Sequence, residues 1–485
     1  MFSRRDSLFA AIALALMAVL GVVLVFTFPG SPEQDTEYHF LMARTAWVNP
    51  SYFVGVWGRP LYTTVFAIPA LMGFVAARLF AVGIGVAVAW QTWRLARDLE
   101  MERAWLVVPL LLAQPVFFEL FPDMLTEPLF ALMFVVAVRW HLRGWTMCGM
   151  LGASLLPLAR PEGVFLCLLW GGWVVVGSLD GVGQPRRSSF WEILRIVPRI
   201  LILATGVFLW WAASFCITRD PLYILHNWPA TWHQGVYGQG NIFSYAMRSL
   251  EFTGVLLLVP FLAGLWRALP RRRWIPVTGA FLLLFVLHSI FRAYGLFGEA
   301  GYPRYMVSVS PAIAVLTLEG WNAVASWLNK WSSPVRVAIG AGVLAVALAQ
   351  SFLYLDSFKG ARDGVAICEM SDWLRAHPQP YKRLIWSNAR MCIVTGGDLE
   401  KSPSLLSGSR ENTLAMFRKA PSGTLVFWDD HIGPEWFGLS AGDIMQAGYQ
   451  SLRVQRYSLP GVTSRDMYGA LTENREVELS LLYKQ

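Results

Sequence analysis

The sequence predicts an all-α polytopic membrane domain followed by a small α/β soluble domain. Three observations carry that class. Apolar runs long enough, or nearly so, to cross a ~30 Å hydrocarbon core recur from the N-terminus to residue 353. Only 15% of the 485 residues are charged and 55% are hydrophobic, with a mean hydropathy of +0.46, whereas soluble domains carry about 25% charged residues. After residue 357 the charges, lysines and turn-formers return. The boundaries follow as 1–356 for the membrane domain, with an outer loop at 29–58, and 357–485 for the soluble one.

Threading the chain from an inside N-terminus gives about eleven transmembrane helices. The first, over 8–28, follows Arg4 and Arg5 and has no small-residue cleavage site behind it, so it reads as an uncleaved span. The polar loop 29–58 comes next. The second run, 61–93, is long and reads as a broken pair of helices around Pro69. Arg94, Arg97 and Arg103 follow it. The third span ends at 115–119, and the fourth ends at Arg139, His141 and Arg143. The fifth ends at 159–163, and the sixth leads to Arg186, Arg187, Arg195 and Arg199. The seventh opens on the polar loop 218–249. The eighth ends at Arg267 and Arg271 to Arg273, the ninth leads to 291–305, the tenth ends near 329–336, and the last carries the chain out again.

In this threading the arginine-rich short loops share one side, as the positive-inside rule demands. Loops holding carboxylates, histidines and aromatics share the other. That segregation also explains the net charge of +8 without nucleic acid, since no lysine precedes Lys330 and the arginines are scattered among short loops. The soluble domain, placed outside the cytoplasm, should contain helices over 368–376 and 411–419 and short strands over 383–387 and 424–428. Cys368 and Cys392 there fit either a disulfide or two unrelated thiols. Asp429-Asp430-His431 reads as a surface turn rather than a metal site.

The candidate chemistry lies on the outer side. Asp35 and Glu37 stand two apart before a short amphipathic helix at 38–47, so only one of them should face a site. Arg59 begins the second span, where its planar fork suits a lipid phosphate or simply the interface. Asp123 and Glu127, four apart, should share one helix face. Arg160 and Glu162, between two apolar spans, need partners in each other or in a ligand. The aromatic loop with His226, Trp232 and His233 suits sugar stacking or the membrane interface, and its histidines are too loosely placed for metal. Arg292, Arg304 and Tyr305 complete the set. The two arginines run against the charge bias, which marks them for an anionic ligand.

Taken in order, these motifs resemble the polyprenyl-phosphate-sugar-dependent GT-C glycosyltransferases, which include protein O-mannosyltransferases and aminoarabinose transferases. The resemblance rests on Asp35 and Glu37, Arg59-Pro60-Leu61, the turn 123–128, Arg160-Pro161-Glu162-Gly163, and Pro303-Arg304-Tyr305. It covers roughly the first 330 residues. The family often has Lys-Pro-Pro where this chain has Arg-Pro-Leu. The resemblance implies a cavity under the first loop on the extracytoplasmic face of a multi-pass protein, in a bacterial inner membrane. It implies an inverting transfer from a polyprenyl-phosphate-linked sugar to a glycan, lipid or protein acceptor. Asp35 would be the general base, with Glu37 as a second acid. Arg59 would meet the donor phosphate, and Asp123, Glu127, Arg160, Glu162, His233, Arg292, Arg304 and Tyr305 would be substrate contacts. No cofactor is implied, and a divalent cation stays open because carboxylates alone fit either case.

Two other classes compete. A lipid-linked sugar flippase should carry polar groups at mid-membrane and repeated halves, and neither stands out. A non-catalytic scaffold should lack a lined cavity beneath the first loop.

Overall fold

The computed structural model describes residues 4–28, 35–180, 197–198, 200–229, 232, 237–327, 331–358, 362–397, 399–400, 410–459 and 475–485. The chain divides into two compact units: 1–24, 50–65 and 78–355 form the first, and 25–49, 66–77 and 356–485 the second.

The first unit is helical. Helix α1 (Arg4–Thr27) is apolar on all sides, and its Leu16, Val19 and Phe26 are exposed. An apolar surface of this kind suits lipid rather than water. Helix α2 (Asp35–Thr45) belongs to the second unit. The long second run is indeed two helices, α3 (Pro60–Leu71) and α4 (Phe74–Asp98). Pro69 stays inside α3, and the break falls at Gly73, whose φ of +108° suits only glycine.

The expected third span is not one helix. Pro115 restricts Gln114 to an extended conformation (φ −90°, ψ 107°), which separates α5 (Val107–Leu112) from α6 (Pro115–Leu120). Helix α7 (Thr126–Leu142), α8 (Thr146–Ser154), α9 (Leu156–Ala159) and α10 (Gly163–Asp180) follow. Then come α11 (Thr205–Thr218), α12 (Leu258–Ala268), α13 (Ile275–Tyr294), α14 (Ser310–Trp327) and α15 (Ser333–Phe358), with a few single-turn helices between them. Among the described residues six helical segments are long and apolar enough to cross a membrane, and four shorter apolar helices accompany them.

Glycines set the closest helix crossings. A Cβ on Gly264 of α12 would lie 1.8 Å from the Leu316 carbonyl oxygen of α14, and one on Gly320 would lie 1.7 Å from that of Pro260. Only bare backbone permits such an approach, the usual device for helices packed in lipid.

Arginines at several helix ends find carboxylate partners. Asp98, at the end of α4, pairs with Arg139 at 2.8 Å and Arg143 at 2.9 Å, both at the end of α7. Arg273, just before α13, pairs with Glu100 at 3.0 Å. Glu127 and Arg292 lie toward the opposite ends of α7 and α13.

The second unit holds a four-stranded sheet of order β1-β2-β4-β3, with β1 (Arg383–Trp386), β2 (Thr424–Asp429), β3 (Tyr449–Leu459) and β4 (Arg475–Lys484). Strands β1 and β2 run parallel with Ile385 opposite Val426, and the other pairs are antiparallel. Strand β2 is buried throughout, so Asp429 at its end lies inside the domain and not on a surface turn. Helices α16 (Arg362–Ala376), α17 (Ala389–Val394), α18 (Arg410–Lys419), α19 (Ile432–Phe437) and α20 (Ala441–Gln446) surround the sheet. Cys368 and Cys392 are both thiols.

Helix α2 is not the half-wet amphipathic helix its sequence suggests. Most of it is buried. Phe40 meets Phe74 edge-on at 5.2 Å, and Tyr38 lies 5.6 Å from Trp386.

Candidate functional site

The site in the first unit starts from two chain reversals. Leu125 is extended (φ −97°, ψ 165°), so α7 begins at Thr126 and holds Glu127 and Pro128 in its first turn. A carboxylate is favoured there by the helix dipole, and proline loses no intrahelical bond. Asp123 falls in the turn before the helix, so it does not share a helical face with Glu127. It instead accepts the Met124 N–H at 3.0 Å and stands 4.0 Å from Arg78 Nε.

The second reversal is Arg160-Pro161-Glu162-Gly163. Gly163 is packed so tightly that a Cβ would lie 2.3 Å from the Leu156 carbonyl carbon. That reversal aims Arg160 at α7. Its Nη1 lies 2.6 Å from Glu127 Oε1 and donates to Thr126 Oγ1 at 3.1 Å, while its Nε donates to Glu162. Burial opposes the Glu162 charge, but Arg160 and His288 beside it outweigh burial and hold the carboxyl below its usual range.

Arg304 joins the same group. Its Nε is 3.7 Å from Glu127 Oε1, and its guanidinium lies over the Tyr302 ring at 4.9 Å. Tyr305 receives Arg160 on its ring at 4.9 Å. Such cation–π contacts hold guanidinium planes without using their hydrogen-bond donors.

Arg59 stands immediately before α3 in the left-handed region, with φ 61°. A non-glycine residue held there stores roughly 1–3 kcal/mol, a pattern that clusters at ligand clamps. Its Nη1 donates to the Val56 carbonyl at 2.8 Å, its guanidinium covers Trp232 at 4.5 Å, and its buried Nε has no hydrogen-bond partner among the described residues. Burial, and then the Arg160 charge, pull its guanidinium down to about 10. Arginine stays charged at working pH, so burial and the neighbouring Arg160 make this cation a costly one.

Sequence reasoning missed His288. It sits inside apolar α13, where an imidazole in the middle of an apolar run was the available signal. Its Nδ1 is 2.8 Å from Glu299 Oε2, and Glu299 also accepts the Tyr245 hydroxyl and the Gly301 N–H. Arg292 Nη1 donates to the carbonyls of Tyr237, Gly238 and Glu299 at 3.1–3.4 Å, which ties the end of α13 to the loop segments beside it. His233 lies outside the described residues.

Asp35 and Glu37 belong to the second unit, on the first turn of α2. Glu37 is buried with Arg390 Nη1 at 3.7 Å, and that guanidinium covers Phe74 at 4.7 Å. Asp35 is half-buried. Glu37 is thus the more buried of the two acids. Among the described residues no three His, Cys, Asp or Glu side chains gather as a metal site.

The fold is that of a multi-pass helical membrane protein with a small C-terminal sheet domain. In particular, the chain is similar to the crystal structure of ArnT from Cupriavidus metallidurans bound to undecaprenyl phosphate. That match has a TM-score of 0.62 at 13% identity and covers 98% of this chain and 97% of that one. The apo structure of the same protein gives a TM-score of 0.59 at 13% identity, covering 97% and 98%. At this identity the likeness is one of fold. No protein-family model matches the chain, and no curated protein is similar to it in sequence.

Proposed function

We propose that this protein is an integral membrane glycosyltransferase. It moves a sugar from a polyprenyl-phosphate donor to an acceptor on the extracytoplasmic side of the membrane, in bacteria the inner membrane. The observation that carries the reading is Arg59, a strained, partly unsatisfied cation beside Arg160, in a fold shared over nearly its full length with a protein solved with undecaprenyl phosphate.

The chemistry is economical. An acceptor oxygen attacks the anomeric carbon as the bond from that carbon to the phosphate oxygen breaks, and a single displacement inverts the centre. The leaving group is a stable phosphate anion, so no general acid is needed, unlike glycoside hydrolysis. One carboxylate to take the acceptor proton and cations to meet the growing phosphate charge suffice. Asp35 takes the proton. Glu37, held by Arg390, orients the turn that carries Asp35. Arg59 meets the phosphate, and Arg304 and Tyr305 complete the donor pocket. Arg160, braced by Glu127 and Glu162, supports the field around it.

The test is a donor panel. Purified protein in liposomes is given polyprenyl-phosphate-linked hexoses and pentoses with radiolabelled sugar, together with membrane extract as acceptor source. Transfer from one donor, lost in Arg59→Ala, is expected. Movement of the labelled lipid between leaflets with no transfer would establish the flippase reading instead.

A further inference from the structure

We infer that His288 is a positioning residue for the phosphate-binding arginines, a deepening that rests on the function proposed above. Glu299 Oε1 accepts from the Tyr245 hydroxyl and the Gly301 N–H, and its Oε2 lies 2.8 Å from His288 Nδ1. That fixes the ring, with Nε2 turned toward Glu162 Oε1 at 4.0 Å. His288 is 3% exposed, and Nε2 has no hydrogen-bond partner among the described residues. A buried ring nitrogen without a partner is expensive unless something uses it.

Two routes lead from this ring to Arg160. Glu162, which Nε2 faces, accepts the Arg160 Nε–H. Tyr305 stacks on His288 with centroids 5.1 Å apart and carries the Arg160 guanidinium on its face at 4.9 Å. A hydrogen on Nε2 turns the facing pair into a donor–acceptor contact and draws Glu162 toward His288. Arg160 follows its carboxylate, and the field that Arg59 and Arg304 share with it is set accordingly. Removing Nε2 while keeping the Glu299 bond should therefore loosen the cation group and leave the helix in place.

Two amide variants separate the nitrogens. In His288→Asn the amide reaches the Nδ1 position only, and in His288→Gln it reaches the Nε2 position. The full chain in nanodiscs is titrated with undecaprenyl phosphate. His288→Asn should bind about tenfold more weakly, because nothing then faces Glu162 from the Nε2 position. His288→Gln should stay within about threefold of wild type. Asn binding like wild type, or Gln as weak as Asn, overturns the positioning role. A wild type that does not bind undecaprenyl phosphate overturns the functional reading and this inference with it. Should either variant fail to fold, histidine-labelled wild type answers by nitrogen NMR: the His288 Nε2 signal should shift on adding undecaprenyl phosphate, and an unmoved signal contradicts the role.

Discussion

Arg59 concentrates the argument at the scale of single residues. Its left-handed backbone, its buried Nε and its place before a proline are all unfavourable in isolation. Arg59→Gly should relieve the backbone strain, so the melting temperature should hold or rise while donor binding falls by about tenfold or more. A fall in both would make Arg59 a structural clamp. Arg160 is the opposite case. It is buried between Glu127 and Glu162, and Arg160→Ala leaves two carboxylates without their cation. Breaking such a pair costs about 3–5 kcal/mol, so this variant should unfold at lower detergent or temperature, and loss of transfer in it would say little about phosphate contact. Glu37 has the same character through Arg390, which is why Asp35, and not Glu37, carries the proposed base.

At the scale of elements, the crossing of α12 and α14 depends on two glycines. In Gly320→Ala the new methyl meets the Pro260 carbonyl, a backbone atom that cannot swing aside. A loss of about 1–3 kcal/mol is expected, read as a lower melting temperature in nanodiscs. Gly83→Ala, with nothing within 4 Å of its Cβ, is the control.

In the C-terminal domain, burial raises Asp429, and burial together with the Asp429 charge raises Asp363, each to about 6. Asn388 donates to Asp429 and also bonds Asp363. Carboxyls with raised folded values bind more protons folded than unfolded between pH 4 and 6, so stability falls as pH rises through that window. The loss by pH 7 is up to about 3 kcal/mol for each carboxyl. Exchange protection of the β1–β2 ladder in the full chain should therefore be greater at pH 5 than at pH 7.5. Asp363→Asn should flatten the difference. Protection that rises with pH would contradict it.

Across the whole molecule, what could be read from the chain alone followed from local rules. Apolar runs marked the helices because a bilayer demands length, and arginines marked one set of helix ends because charge bias orders loops. The Arg160 to Gly163 segment was readable as a local ion pair. Strands β3 and β4 were not, because much of their sequence is polar and their pairing is set by partners far away in the chain. Glu127 as the partner of Arg160, and Arg390 as the partner of Glu37, are equally long-range. Pro115 shows a local rule that was present and underweighted: it split the third span. His288 was hidden because its apolar helix draws attention to lipid rather than to the one imidazole within it.

The central claim is that a carboxylate on the first turn of α2 takes the acceptor proton during sugar transfer from a lipid phosphate. Asp35→Asn tests it most directly, because it keeps the shape of the side chain and removes the base. Single-turnover transfer from radiolabelled undecaprenyl-phosphate sugar should fall by about 10²–10⁴-fold, while binding of undecaprenyl phosphate stays within about threefold of wild type. Transfer that is undiminished in Asp35→Asn would contradict the account.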